Sequence, residues 1–535
     1  MTRVLTLPAV TDSAPATTPA ARQLPSVDRT PARAQRLAWL DALRAIAAFC
    51  VVYEHFGARV LPAVHAWVFR AFDPGVYGVL VFFLISGYIV PASLERRGSV
   101  RTFWVSRLFR LFPLFLLVIA ITLVLHQLGL TGLHRANQNV AASVLSNLFM
   151  LSDLLGGTNI VVVLWTLCYE MVFYLLLTAL FTGALHRRSG ACAVTFAAGA
   201  LVLGGLLPTM WITDHTIGRT EVALAADVLT IGGLAVAVLA RGLPRALGAW
   251  LAAAAGLVLV VVNEHRPPYE GLTILALTFT GTMVYRARQG QISRWRAAAV
   301  AAVVFAAAMA AGAWHIPAFS TASQPGLQQR QWVMSVALAG LTFAVGLALQ
   351  EHRVPRPLAW LGLVSYSVYL VFPLLVDIYD DIPFPAGYQQ LPWLQAVASA
   401  VFLLALVACA AMTYYLVEAP MQRLGRRVIA RLGLDPVGVP GPRQQGVDNL
   451  REALGLGCRR EGEATAIEQH RVAGGALPET GDPCDDHEVV AGLVDRLDRA
   501  RRPGQHAVEY RRAIRRRAPA HTAELVRRAY AELPG

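Results

Sequence analysis

The chain has 535 residues, 56% of them hydrophobic and only 15% charged, with a mean hydropathy of +0.49. Soluble domains carry roughly a quarter charged residues, so this composition excludes an ordinary soluble enzyme. With its repeated long apolar runs, the chain reads as a polytopic membrane protein. The net charge of +13 comes from arginine alone, since the sequence has no lysine. Arginines crowd the cytoplasmic connections of membrane proteins, so the basicity calls for no nucleic-acid partner.

Residues 1–36 are rich in Ala, Pro, Thr and Arg, without the apolar core of a secretory signal peptide. They read as a disordered cytoplasmic arm. Arg29, Arg33 and Arg36, just ahead of the first apolar run, favour an N-terminus inside. Apolar runs follow at 39–60, 76–94, 108–128, 160–185, 191–211, 221–240, 246–262, 270–285, 296–315, 332–350, 358–378 and 392–417. Every second connection is arginine-rich, beginning with Arg96, Arg97, Arg101, Arg107 and Arg110. The last of the poorer connections carries Asp377, Asp380 and Asp381. The pattern predicts an all-α transmembrane bundle of 10–12 spans over residues 37–425, with both termini cytoplasmic. Several runs are short for a span. Val140–Leu155 is shorter still, suiting a surface or re-entrant segment. From residue 426 to 535 the composition turns polar, which predicts a partly disordered cytoplasmic tail with helices near 487–502 and 521–533.

Four of the six cysteines (Cys50, Cys168, Cys192 and Cys409) lie in apolar runs, while Cys458 and Cys484 lie in the tail. None form a Cys-x-x-Cys pair, so no zinc site and no disulfide framework is expected.

The chemistry-bearing residues lie where lipid would make them costly. The first run carries Asp41, Arg44, Glu54 and His55. Arg44 and His55 are eleven residues apart, which returns to nearly the same helical face about 16 Å further along. A polar stripe of this kind needs a cavity or partners. Arg107 and Arg110, three apart and preceded by Arg101, share a face at a mouth framed by aromatics. Two readings are open for them: guanidinium recognition of a phosphorylated cytosolic ligand, or inside-positive anchoring. Thr166, Glu170 and Tyr174, spaced by four behind Trp165, line one face. Glu170 needs an intramembrane partner, and Arg44 is the natural candidate. Ser86 and Tyr88 end the second run; Ser365, Tyr366, Ser367 and Tyr369 open a late one, where small and hydroxylated residues suit helix packing as well as chemistry.

In this order the motifs resemble the membrane-bound acyltransferase family 3, a group of polytopic O-acyltransferases. The features that carry the resemblance are Leu40-Asp41-Ala42-Leu43-Arg44 with His55, Phe82 to Tyr88, Phe103 with Arg107, Arg110 and Pro113, Trp165-Thr166-Leu167 with Glu170, Ser365 to Leu370, and Glu418-Ala419-Pro420. They cover residues 36–425 or so. The resemblance implies transfer of an acyl group, often acetyl, from cytoplasmic acyl-CoA to a hydroxyl of a glycan, polysaccharide or secondary metabolite. It marks Arg44, His55 and the arginines after the second run as functional. On this reading His55 is the general base, with Arg44, Glu170 and Asp41 shaping the catalytic cavity. Arg107, Arg110 and Arg101 hold acyl-CoA, while Ser86, Tyr88, Trp165, Tyr174, Ser365, Tyr366 and Tyr369 line or brace the site. Acyl-CoA is expected as co-substrate, with no tightly bound cofactor and no metal, and the inner cell membrane is the expected location. The family commonly has a histidine shortly after the late Tyr-Leu; here Val371, Phe372 and Pro373 follow. A transporter or flippase using the same polar stripe as a translocation path is the competing class.

Overall fold

The computed structural model describes residues 30–129, 147, 150–155, 160–206, 208–212, 219–319, 324–382 and 391–434. The expected N-terminal arm, the tail with its two helices and most of Val140–Leu155 lie outside the described residues.

Fifteen α-helices and no strand occur among the described residues. In chain order they are α1 (Thr30–Val60), α2 (Pro62–Ala71), α3 (Pro74–Arg97), α4 (Val100–Gln127), α5 (Trp165–Thr182), α6 (Ser189–Leu203), α7 (Arg219–Leu239), α8 (Gly242–Val262), α9 (Pro268–Arg288), α10 (Arg294–Phe319), α11 (Pro325–Ala348), α12 (Arg356–Leu363), α13 (Ser365–Asp380), α14 (Pro392–Thr413) and α15 (Ala419–Arg431). A 3₁₀ turn, Val162–Leu164, precedes α5, and a π-helical turn, Tyr414–Glu418, joins α14 to α15.

The sequence marks its own boundaries. Proline begins α2, α3, α9, α11 and α14, where a missing N–H costs nothing. Asp73 caps α3 by accepting from the Val76 N–H at 2.9 Å, and Ser99 caps α4 by accepting from Thr102 at 3.3 Å. Gly98, at φ 62°, closes α3 in the left-handed region.

All twelve apolar runs form helix, and the all-α bundle stands. The count of spans is smaller than the 10–12 expected: seven helical segments among the described residues are long and apolar enough to cross a membrane, or eight if the bent α12–α13 pair is one span. Four of the runs fall outside that set for physical reasons. α1 is interrupted by Asp41, Arg44, Glu54 and His55, and α9 by Glu270 and four threonines. Ser189–Leu203 and Ala225–Leu239 are apolar but short.

Burial sorts the helices into layers. α3, α5 and α9 are nearly enclosed, whereas α7, α8, α10, α11 and α14 expose rows of Leu, Val and Trp, as helices facing lipid do. α1 packs on α3, α12 and α13, and α3 packs on α9 and α11. The approach of α3 to α9 is backbone against backbone. A methyl group on Gly87 would collide with the Thr278 carbonyl, and Thr282 Oγ1 donates to the Gly87 carbonyl at 3.0 Å.

The same device sets the late motif. α12 and α13 meet at Val364 with a 68° bend. Gly362, just before it, lies on the backbone of Asp41, where any Cβ would overlap the Asp41 carbonyl. The bend is thereby pinned to α1, and it points Ser365 and Tyr366 inward. Gly362→Ala is expected to destabilise the protein by about 1–3 kcal/mol, the usual cost of overpacking. Thermal unfolding in detergent measures it, with Gly232→Ala as control, since a methyl group there meets open space and the backbone is not in the left-handed region.

Candidate active site

Five helices drawn from both ends of the described chain line one cavity of about 90 Å3. α1 contributes Arg44; α3 contributes Val79, Phe82, Phe83 and Ser86; and α4 contributes Arg110 and Leu111. Thr166, Leu167 and Glu170 come from α5, and Ser365, Tyr366 and Tyr369 from α13. Eight of the polar residues singled out in the sequence (Arg44, Ser86, Arg110, Thr166, Glu170, Ser365, Tyr366 and Tyr369) therefore share one wall system.

The polar groups around the cavity are braced. Arg44 pairs with Asp41, one helical turn back, at 3.5 Å. The Tyr174 hydroxyl donates to the Glu170 carboxylate. Tyr366 donates to the Leu111 carbonyl at 2.9 Å, and the Thr166 and Tyr369 hydroxyls lie 2.8 Å apart. The expected ion pair between Arg44 and Glu170 is not closed within 4 Å: Glu170 takes its proton donor from Tyr174, and Arg44 takes Asp41. Both still face the cavity, within electrostatic range of each other and of Arg110.

Other predicted residues are placed elsewhere. Arg107 does not line the cavity. It is buried, with its guanidinium 5.3 Å from the Phe103 ring centroid and 5.1 Å from that of Tyr174. A cation between two aromatic faces pins α4 to α5. Arg101 is also diverted, donating to the Val238 and Leu239 carbonyls at 2.5 Å each. Those carbonyls end α7, where a cation is favoured. Tyr88 packs among Trp39, Tyr285 and Phe343 rather than into the cavity.

His55 is the main departure. It shares a face of α1 with Arg44 but lies three turns further on, beyond the cavity wall. Its Nδ1 is 3.0 Å from the Val51 carbonyl, and the Glu54 carboxylate stands 3.6 Å from the same nitrogen. The Phe372 ring, one of the residues that follow the late Tyr-Leu in place of a histidine, is 5.2 Å from the imidazole. Phe372 in turn contacts Tyr369, which lines the cavity. Aromatic side chains thus form the partition between the cavity and His55.

A second polar cluster surrounds His55, with Arg59, Asp73 and Arg266 as its charged neighbours. Arg59 clamps Asp380 through two bonds of 2.5 and 2.7 Å, tying the end of α1 to the end of α13. Arg266, in the α8–α9 connection, lies 3.7 Å from the Trp165 ring centroid and pairs with Glu270 at 2.7 Å. Trp165 thus braces this second cluster. Asp73, Glu264 and Arg266 were invisible to sequence reasoning, because a charged residue in a connection is unremarkable until the fold buries it.

Glu264, also in that connection, is fully buried, and neither carboxylate oxygen has a hydrogen-bond partner among the described residues. Burial, joined by the neighbouring Glu270 and Asp153 carboxylates, pushes its carboxyl well above the ordinary range. The folded protein therefore binds a proton that the unfolded chain releases near an ordinary pKa of about 4.3. Stability from this group is highest below that value and falls as pH rises through the raised folded value. Glu264→Gln is expected to raise the melting temperature above neutral pH and to change it little near pH 4. Melting curves across that range test the sign.

An all-helical, multi-pass membrane bundle with one charged cavity between α1, α3, α4, α5 and α13 defines the class. Residues 37–412 match the family model described as "Acyltransferase domain", and the chain belongs to that family, acyltransferase family 3. Among curated proteins it is similar to "Nodulation protein 10" of Rhizobium leguminosarum bv. viciae, 32% identical over 177 residues, covering 30% of this chain and 48% of that protein. It is also similar to "O-acetyltransferase OatA" of Staphylococcus aureus, strains NCTC 8325 / PS 47 and COL, each 30% identical over 162 residues, covering 28% of this chain and 25% of the relative. The matched segments span less than half the length of these relatives. No solved structure matches.

Proposed function

We propose that the protein is an integral-membrane O-acyltransferase that moves a short acyl group, acetyl being the simplest, from acyl-CoA to a hydroxyl of a glycan, polysaccharide or secondary metabolite. In this reading the arginine-rich end of the bundle and both termini face the cytoplasm of a cell membrane. The thioester enters the cavity from that end, beside Arg110, Arg44 and Glu170. The acceptor approaches from the end that carries His55.

The observation that carries the proposal is the pairing of a charged intramembrane cavity with an imidazole of defined tautomer. Nδ1 of His55 is committed to the Val51 carbonyl, so in the neutral ring Nδ1 carries the proton and Nε2 holds a free lone pair. Nε2 then accepts the hydroxyl proton as the acceptor oxygen attacks the thioester carbonyl. The C–O bond forms, the C–S bond breaks, and the proton passes on to the departing thiolate, so the reaction is balanced without an added oxidant or metal. For the acceptor to reach the thioester, the Phe372–Tyr369 partition has to yield. The thioester end of the donor therefore lies against Tyr369.

The test uses purified full-length protein in detergent with labelled acetyl-CoA and a panel of hydroxylated acceptors. Transfer of label under these conditions, where no gradient exists, is the expected result. A protein that transports its acceptor but never labels it would sink the proposal in favour of translocation.

A further inference from the structure

The sequence offered Arg107 and Arg110 as ligands for donor phosphates. We infer instead that the phosphates of the donor are held outside the cavity, on the exposed basic flank of α15 formed by Arg423, Arg426 and Arg427, and that the cavity receives the uncharged pantetheine arm and its thioester. This inference rests on the acyl-CoA reading above.

Charge balance is the first argument. Arg44, Arg107 and Arg110 are the cations at the cavity and directly behind it, and Asp41, Glu170 and Glu418 are the acids that face them. Their formal charges cancel. Glu418 is buried, accepts from Ser367 at 3.0 Å and from Gln422 at 3.1 Å, and counts Arg110 and Arg44 among its charged neighbours. Coenzyme A carries a phosphomonoester and a diphosphate. Bringing several negative charges into a buried site whose cations are already balanced is strongly unfavourable. A neutral amide-and-thioester arm carries no such penalty.

Geometry is the second argument. Arg107 is enclosed by Phe103 and Tyr174, and Arg101 is spent on the carbonyls that end α7. α15 is the next basic element beside Arg110. Gly425 of α15 packs on Phe109, the residue before Arg110, and Tyr414 lies within electrostatic range of both Arg110 and Arg423. Arg423, Arg426 and Arg427 are spaced i, i+3 and i+4, so they share one flank, and all three are exposed. Guanidinium groups in that arrangement grip phosphate oxygens bidentately. The anchor that fixes the flank is Glu418 itself, through Gln422 one turn into α15. The site thereby divides the donor by chemistry, with charge at the rim and the reactive group inside.

Calorimetric titration of the purified full chain, in detergent free of phospholipid, with coenzyme A and separately with pantetheine tests the division. The variants are Arg423→Ala/Arg426→Ala/Arg427→Ala and the matching triple lysine. The alanine triple is expected to weaken coenzyme A at least about tenfold and to leave pantetheine unchanged, with the lysine triple recovering part of the loss. Coenzyme A affinity untouched by the alanine triple overturns the rim site, whether or not phosphatidylglycerol then proves to bind there. An equal loss for both ligands also overturns it, since that marks a disturbed fold. A wild-type protein that binds neither ligand overturns the donor reading as a whole, and is recognisable as such.

Discussion

Replacing His55 by alanine lowers acyl transfer by about 10²–10⁴-fold, the usual contribution of a positioned general base, while the yield of folded protein and the KM for the donor stay near wild type. The split follows from position. His55 lies about 16 Å along α1 from Arg44, so its loss leaves the cavity walls in place. Its ring meets Val51 and Glu54 on its own helix and Phe372 of α13, and it is half-buried rather than a core element. The His55→Gln variant sharpens the measurement, because an amide preserves size and hydrogen bonding but accepts no proton at neutral pH. Turnover of that variant at the wild-type rate, with saturating donor and acceptor, would falsify the base assignment and leave the imidazole as a gate residue beside Phe372.

Much of the architecture could be read from the chain because lipid makes polar residues conspicuous. Arg44, Glu170 and Ser365 stand out in apolar surroundings, and of the Thr166, Glu170 and Tyr174 face the first two line the cavity while Tyr174 bonds Glu170 from outside the lining. Spacing gives a face and a rise but not the neighbouring helices, so it grouped His55 with Arg44 although only Arg44 lines the cavity. It also treated Arg107 and Arg110 as equivalent. Only the packing of α4 on α5 decides that Arg107 meets the rings of Phe103 and Tyr174 while Arg110 meets the cavity. The fate of Arg101 depends on carbonyls more than a hundred residues away, at the end of α7. No local pattern carries such information. Arg266 and Glu264 were missed for the opposite reason: in a connection, charge looks ordinary, and burial there comes from tertiary structure alone.

Arg44→Ala is expected to reduce both stability and turnover, and the two losses are separable. Arg44 is mostly enclosed, pairs with Asp41 and faces Glu170 across the cavity. Removing it leaves acids whose counter-charge has gone, an imbalance that costs about 3 kcal/mol in buried settings. Turnover should fall by about 10²–10³-fold, as it does when a preorganised positive group that faces developing negative charge is deleted. Pairing the change with Glu170→Gln restores neutrality. The double variant Arg44→Ala/Glu170→Gln is therefore expected to regain most of the lost melting temperature, because the new amide still accepts from Tyr174 through its carbonyl oxygen. It should regain none of the turnover, because the positive group that meets the thioester is still missing. Thermal unfolding and saturation kinetics on the same three preparations read the two quantities independently. Recovery of turnover alongside stability in the double variant would mean that Arg44 and Glu170 serve only to hold the helices together, and that the cavity's chemistry belongs to Arg110.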